Sequence, residues 1–295
     1  MKKVLITGCS SGFGFDAAKY LAEKGNHVYA SMRNTDGKNA AKAAELRDFA
    51  QSKDLKLDVI DIDVTSDKSV QAAADKLPVM DVLINNAGFG YGGPTEAFTS
   101  GECMAQLDLN IVGPLRMAKA VLPGMRKHKS GLIIQVSSTA GRGAFPGFGI
   151  YHASKWGLEG MSEAMRYELA PLGIDVVIVE PGPFATNFFG NMVNPKDPDI
   201  AADYSHVEEF FEGFGNQVKS LFEDENAPTY PMVVVHIFEK IINAEPGHRP
   251  IRTIAGLDFG FQALNDTTEP IRKAGLEGMG IGAWDGPKAK EPELN

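Results

Sequence analysis

Tyr151 and Lys155 stand four residues apart near the start of a segment of helical period, a spacing that puts both on one helix face. A free phenol has a pKa of about 10, too high to exchange a proton readily near neutrality, and a cation beside it favours the phenolate. Such a pair could give a proton to a carbonyl oxygen while a hydride reaches the carbon. Taken alone, the same spacing also describes a half-buried aromatic ring covered by a lysine stem. A second feature is the run Thr7-Gly8-Cys9-Ser10-Ser11-Gly12-Phe13-Gly14, whose glycines let the backbone turn tightly and approach a phosphate at a helix N-terminus. Its Gly-x-x-x-Gly-x-Gly spacing departs from the common G-x-G-x-x-G fingerprint, and no Gly-Lys-Ser/Thr follows, which excludes a Walker A loop.

Three more clusters have the same placement: Asn85-Asn86-Ala87-Gly88, Ser137-Ser138 and Pro181-Gly182 each follow a short apolar run. Open α/β sheets bind ligands at the carboxyl ends of their strands, so the coincidence of four such clusters outweighs any one of them. His152, next to Tyr151, is about 100° away around a helix and reads as structural. The remaining histidines show no ligand spacing to one another, and no metal is expected.

The elements that must position these residues are visible as apolar runs at Lys3–Ile6, Val28–Ser31, Leu57–Ile62, Val79–Ile84, Leu132–Val136 and Val176–Val179. They alternate with helical segments at Gly14–Lys24, Asn39–Ser52, Ser66–Lys76, Gly101–Lys129 and Ser154–Leu172. Strands buried on both faces and separated by helices imply an α/β, doubly wound parallel sheet. A last helix at about Pro231–Asn243 and a strand near Pro250–Ile254 would close it. Residues 184–230 show no clear strand and are expected to form a helical substrate lid. One domain over residues 1–270 is expected, with a loosely held tail over 271–295 rich in Gly, Pro and charge.

The chain has 295 residues, 43% of them hydrophobic and 23% charged, an ordinary globular balance. Its net charge of −9 speaks against nucleic-acid and anionic-membrane partners, and no apolar run is long enough to span a bilayer. The only cysteines, Cys9 and Cys103, suit neither a disulfide framework nor a metal site, so a cytoplasmic location is expected.

Together these residues resemble the classical short-chain dehydrogenase/reductase family, in order over roughly residues 2–190. The family's Thr-Gly-x-x-x-Gly-x-Gly falls on Thr7–Gly14, its Asn-Asn-Ala-Gly on Asn85–Gly88, its helix asparagine on Asn110 and its Tyr-x-x-x-Lys on Tyr151 and Lys155. The family's serine lies thirteen residues before the tyrosine, which selects Ser138 over Ser137. The resemblance implies a Rossmann fold, a homodimer or homotetramer built on the two long helices, and catalysis by Asn110, Ser138, Tyr151 and Lys155. Tyr151 would be the acid, and Lys155 would lower its pKa and hydrogen-bond the nicotinamide ribose. Ser138 would polarise the carbonyl oxygen, and Asn110 would anchor a water chain refilling the proton through Lys155. Implied cofactor contacts are Gly8, Ser10, Ser11, Gly12, Phe13, Gly14, Arg33, Asp63, Val64, Asn86, Ala87, Gly88, Tyr151, Lys155, Pro181, Gly182 and Thr186.

Cofactor choice turns on Met32-Arg33, where Met32 takes the place of the acid that binds a ribose 2′-hydroxyl and Arg33 matches the basic position of NADP-preferring members. NADP(H) is therefore the expected cofactor, with NAD(H) as the alternative. Residues 184–230 carry nine acids against two lysines and no arginine, together with many aromatics, a surface unsuited to phosphorylated substrates. A hydrophobic or aromatic ketone, aldehyde or secondary alcohol fits better. The competing readings are a nucleotide-binding regulatory sensor without turnover, against which the complete catalytic set speaks, and an NAD-dependent alcohol dehydrogenase. Pro114, four residues after Asn110, has no N–H to give the Asn110 carbonyl, which frees that carbonyl either for a water of the relay or simply to kink the helix.

Overall fold

The first strand, β1 (Lys3–Ile6), buries Val4 and Ile6 on one face and Leu5 on the other, because successive side chains of a strand alternate. A strand apolar on both faces belongs inside a sheet covered on both sides. The computed structural model, which describes residues 1–224 and 226–288, has this arrangement. With β2 (His27–Met32), β3 (Leu57–Asp61), β4 (Val82–Asn85), β5 (Gly131–Val136), β6 (Ile174–Pro181) and β7 (Arg252–Ala255), β1 forms one sheet in the order β3-β2-β1-β4-β5-β6-β7. Every pairing is parallel. The strand order reverses between β1 and β4, which opens a crevice at their carboxyl ends.

One face of the sheet is covered by α1 (Gly12–Glu23), α2 (Ala40–Ser52) and α9 (Met232–Asn243), through residues such as Leu21, Leu46 and Phe238. The other is covered by α3 (Asp67–Ala74), α5 (Gly113–His128) and α6 (Gly149–Leu169), through Val70, Met117, Met125 and Met165. A short α4 (Ser100–Leu107) leads into α5, its start fixed by a capping box between Thr99 and Glu102. Residues 184–230, expected as a lid, contribute α7 (Pro198–Ala202) and α8 (Ser205–Glu223), and α10 (Phe261–Gly278) follows β7. Among the described residues no helix is long and apolar enough to cross a membrane.

Two expectations change. The single helix expected over Gly101–Lys129 is α4 and α5 joined by a π-helical turn, Asp108–Val112. Pro114 explains the break: it cannot donate within the helix, and the bonds just before it widen to a five-residue span. The chain from Pro270, expected to be loose, continues as α10 to Gly278. The segment beyond is clamped through Asp285, which accepts from Arg272 Nη2 at 2.7 Å and from Arg166 Nε at 3.0 Å. Residues 289–295 of the expected tail lie outside the described residues.

Candidate active site

The crevice between β1 and β4 opens into a cleft of about 720 Å³. Its floor is the loop from β1 into α1. Gly8 adopts φ +74°, and a Cβ at Gly14 would meet Gly8 O at 2.6 Å, so both positions require glycine. Thr7 locks this loop to the end of β4: its Oγ1 accepts from the backbone N–H groups of Asn86 and Ala87, each at 3.0 Å. Asn86 Nδ2 in return donates to Thr7 O at 2.9 Å and Gly8 O at 3.3 Å. Ser11 precedes α1 without capping it by a side-chain hydrogen bond, and Ser10, Ser11, Gly12 and Phe13 line the cleft. An uncapped helix N-terminus beneath a glycine loop suits a pyrophosphate, so the residues present fit a dinucleotide.

At one end Met32, Arg33, Asp63 and Val64 line the cleft, joined by Lys38 and Asn39. Asn39 Nδ2 donates to Arg33 O at 2.7 Å, which folds the start of α2 back beside Arg33. Asp61, the acid at the end of β3, is taken up by Asn34 N at 3.1 Å and Thr35 N at 2.9 Å. Asp63 Oδ1 accepts from Thr65 N at 3.0 Å and Thr65 Oγ1 at 2.7 Å, so this carboxylate shapes its own turn as well as facing the cleft.

At the other end Ser138, Tyr151 and Lys155 come together with Asn86, Ala87, Gly88, Pro181, Gly182 and Thr186 along the wall. Tyr151 and Lys155 lie in the first two turns of α6 and are both buried. Lys155 Nζ donates to Val136 O at 2.9 Å and lies 5.8 Å from the centre of the Tyr151 ring. Burial pushes the Tyr151 phenol up to about 12, and contact with the Ser138 hydroxyl only partly offsets this. Burial pushes Lys155 down to about 8, with Glu159 acting in the opposite sense. Lys155 Nζ is engaged by the Val136 carbonyl, and burial is the larger influence on each of the two groups.

Gly14 and Asn110 sit behind the cleft rather than on it. Asn110 is held by the π-helical turn, donating Nδ2 to Ser154 Oγ at 2.9 Å and to Phe89 O at 3.2 Å. Its Oδ1 has no partner among the described residues, and a Cβ at Gly88 would lie 3.0 Å from that oxygen and 3.9 Å from Lys155 Nζ. His152 has both ring nitrogens engaged: Nδ1 faces Ala140 O at 2.8 Å, and Nε2 accepts from Phe145 N at 2.9 Å. Burial keeps it neutral, and it holds the loop between Ser138 and Tyr151.

Aromatic side chains from residues 184–230 and from the turn before α6 wall this end of the cleft. Phe148 stacks on Phe211 at a centroid distance of 4.4 Å, and Phe188 lies 5.4 Å from Tyr151. Phe188, Phe189 and Phe214 line the cleft, with Met192, Phe210 and Phe211 packed alongside. Tyr204 instead turns outward to Glu96.

A family model described as short chain dehydrogenase matches residues 2–197. The chain belongs to the short-chain dehydrogenase/reductase family. This dehydrogenase is 36% identical over 257 residues to a 3-ketodihydrosphingosine reductase of Bacteroides thetaiotaomicron, covering 86% of this chain and 87% of the relative. It is 32% identical over 246 residues to the human 17-beta-hydroxysteroid dehydrogenase type 1, covering 82% of this chain and 74% of the relative. The crystal structure of a short-chain dehydrogenase from Streptomyces avermitilis superposes with a TM-score of 0.73 at 29% identity, covering 95% of this chain and 97% of that one. The family binds NAD(P)(H), and other solved structures of similar fold hold NADP or 5-hydroxy-NADP.

Lys38, Asn39 and Thr7 were not singled out as site residues by sequence reasoning. Lys38 and Asn39 reach the cleft only through the turn at Asn34, whose φ of +54° brings the start of α2 back over β2. The Thr at the head of the glycine run was a legible signal, but its two acceptor contacts depend on β4 lying next to β1.

Proposed function

We propose that this short-chain dehydrogenase is an NADPH-dependent oxidoreductase that reduces a hydrophobic or aromatic ketone or aldehyde and reversibly oxidises the corresponding alcohol. The observation that carries the reading is a buried phenol, Tyr151, lining the same cleft as Ser138, one helical turn from Lys155 and walled by Phe148, Phe188 and Phe189.

NADPH, when bound, supplies the hydride. Ser10, Ser11, Gly12 and Phe13 would hold its pyrophosphate above the turn that Gly8 and Gly14 permit. Asn86, Ala87, Gly88, Pro181, Gly182 and Thr186 would line its nicotinamide half, Asp63 and Val64 its adenine half. Arg33, Lys38 and Ser10 would take the 2′-phosphate, with Met32 in the place where an acid would repel it. Ser138 polarises the substrate oxygen, and Tyr151 gives that oxygen its proton. A phenolate left in so buried a place needs a neighbouring cation, which Lys155 provides. Asn110, behind Gly88, orients the proton path to Lys155.

The aromatic lid excludes water and favours an apolar substrate. The name of the Bacteroides relative, a reductase of a keto compound, agrees with this direction. Exposed Met104, Val112, Leu115 and Trp156 on α4, α5, α6 and the turn between them support a homo-oligomer. The test is loss of nicotinamide absorbance with a panel of apolar ketones and each cofactor in turn. Turnover of an apolar ketone with NADPH in preference to NADH is the expected result; tight NADPH binding without turnover of any ketone would favour a sensor.

A further inference from the structure

Behind the site, the protein buries two carboxylates that the proposed chemistry does not use. Glu159 lies one turn of α6 beyond Lys155, as Lys155 lies one turn beyond Tyr151. Glu180 stands in β6 directly before Pro181. Glu159 is 4% exposed and Glu180 0%. Arg252 of β7 donates Nε to Glu159 Oε2 at 2.9 Å, stands 3.5 Å from Glu180 Oε1, and donates Nη2 to Glu163 at 2.6 Å. Arg142, from the turn after Ser138, stands 3.8 Å from Glu180 Oε1, and Asn265 of α10 donates to Glu180 Oε2 at 2.5 Å.

Glu159 Oε1 is left without a hydrogen-bond partner among the described residues, as is Ser137 Oγ. The two atoms border one niche, which exists because residue 141 is glycine: a Cβ there would lie 3.2 Å from Glu159 Oε1 and 2.9 Å from Ser137 Oγ. Burying a carboxylate is costly, and an apolar residue at 159 would fill the space more cheaply. The placement makes sense if the charge serves the next residue up the helix. Tyr151, Lys155 and Glu159 form a phenol, an ammonium and a carboxylate stacked along one buried helix face.

We propose that Glu159 is a positioning residue for the reaction: its carboxylate, anchored by Arg252 one turn behind Lys155, is the counter-charge that keeps Lys155 an ammonium beside Tyr151. This role rests on the Tyr151–Lys155 chemistry proposed above. The charged groups around Glu159 are Lys155 and Glu163 on its own helix, Arg252 from β7, Arg142 from the turn after β5 and Glu180 from β6. Burial raises the pKa of both glutamates, Glu180 to about 8. The charge of Glu159 adds to the rise at Glu180, while Arg252 and Arg142 act in the opposite sense at both.

The test follows Lys155 by its Cε resonance in lysine-labelled protein without cofactor, assigned through its loss in Lys155→Met, beside the pH dependence of kcat/KM for ketone reduction. Glu159→Gln should lower the Lys155 titration by about one to two pH units, the size expected for one charge a helical turn away. The alkaline limb of kcat/KM should move to lower pH with it. Glu159→Asp, which keeps the charge, should titrate close to the parent. If Glu159→Gln does not fold, Glu159→Met paired with Arg252→Met replaces the buried ion pair by apolar volume, and Lys155, on which Glu159 acts and Arg252 is not seen to act, should still titrate lower. A folded variant lacking the carboxylate in which neither the resonance nor the limb moves overturns the role. A parent protein that reduces no ketone, while the Lys155 resonance still shifts in Glu159→Gln, defeats the proposed function and leaves the counter-charge standing.

Discussion

Asn110 donates its side-chain amide to Ser154 Oγ at 2.9 Å, and Ser154 Oγ donates in turn to the Tyr151 carbonyl at 2.7 Å. The π-helical turn is thus tied to the first turn of α6, and the asparagine is registered to the tyrosine through one hydroxyl. Pro114, two residues beyond that turn, gives the Asn110 carbonyl no helical donor. Pro114→Ala would let the segment wind as a regular α-helix, rotating Asn110 away from Gly88 and Lys155. Its kcat should fall about tenfold or more with an altered pH–rate profile, while cofactor affinity, measured by fluorescence titration, stays near that of the parent. An unchanged profile would reduce Pro114 to a kink.

Tyr151→Phe removes the proton donor and leaves the glycine loop intact. Turnover should fall about a hundred- to ten-thousand-fold, the usual contribution of general acid catalysis, with NADPH still binding. Lys155→Ala should lower both turnover and cofactor affinity, since Lys155 is assigned to the phenolate and to the ribose. Steady-state kinetics beside calorimetric cofactor titration separates the two variants. Equal turnover in Tyr151→Phe and the parent would remove the tyrosine from its role.

Arg33→Ala should weaken NADP(H) binding about tenfold or more and leave NAD(H) nearly unaffected, because only the 2′-phosphate offers the charge that a guanidinium pairs with. Lys38→Ala should act in the same direction, and the two losses should not simply add if both side chains share one phosphate. The reading of this end of the cleft fails if the parent prefers NADH at equal concentration.

His152 is neutral in the fold, its Nε2 accepting from Phe145 N at 2.9 Å, and burial places its pKa below the ordinary 6.5. A histidine whose folded pKa is depressed favours the native state above its unfolded pKa. That contribution should be lost as pH falls from about 6.5 through the folded value, when the ring must take up a proton and give up its acceptor. The melting temperature of the parent should therefore drop across this window more steeply than that of His152→Gln, whose amide can donate to Ala140 and accept from Phe145 without titrating. Parallel curves would show that His152 does not set the acid stability.

The sequence alone determined the sheet and the chemical inventory, because both are written in short-range patterns. An apolar run such as Val176–Val179 must be buried on both faces wherever it lies, and the positive φ of Gly8 belongs to a turn made by its own neighbours. The spacing of Tyr151 and Lys155 sets their common helix face without help from the rest of the chain. Tertiary structure decided what these groups are worth. Lys38 joins Arg33 only because the turn at Asn34 folds α2 back, and Glu159 meets Arg252 across 93 residues of sequence. How deeply Tyr151 and Lys155 are buried could not be read from their spacing. Burial is the largest influence on the pKa of both, and burial belongs to the whole fold.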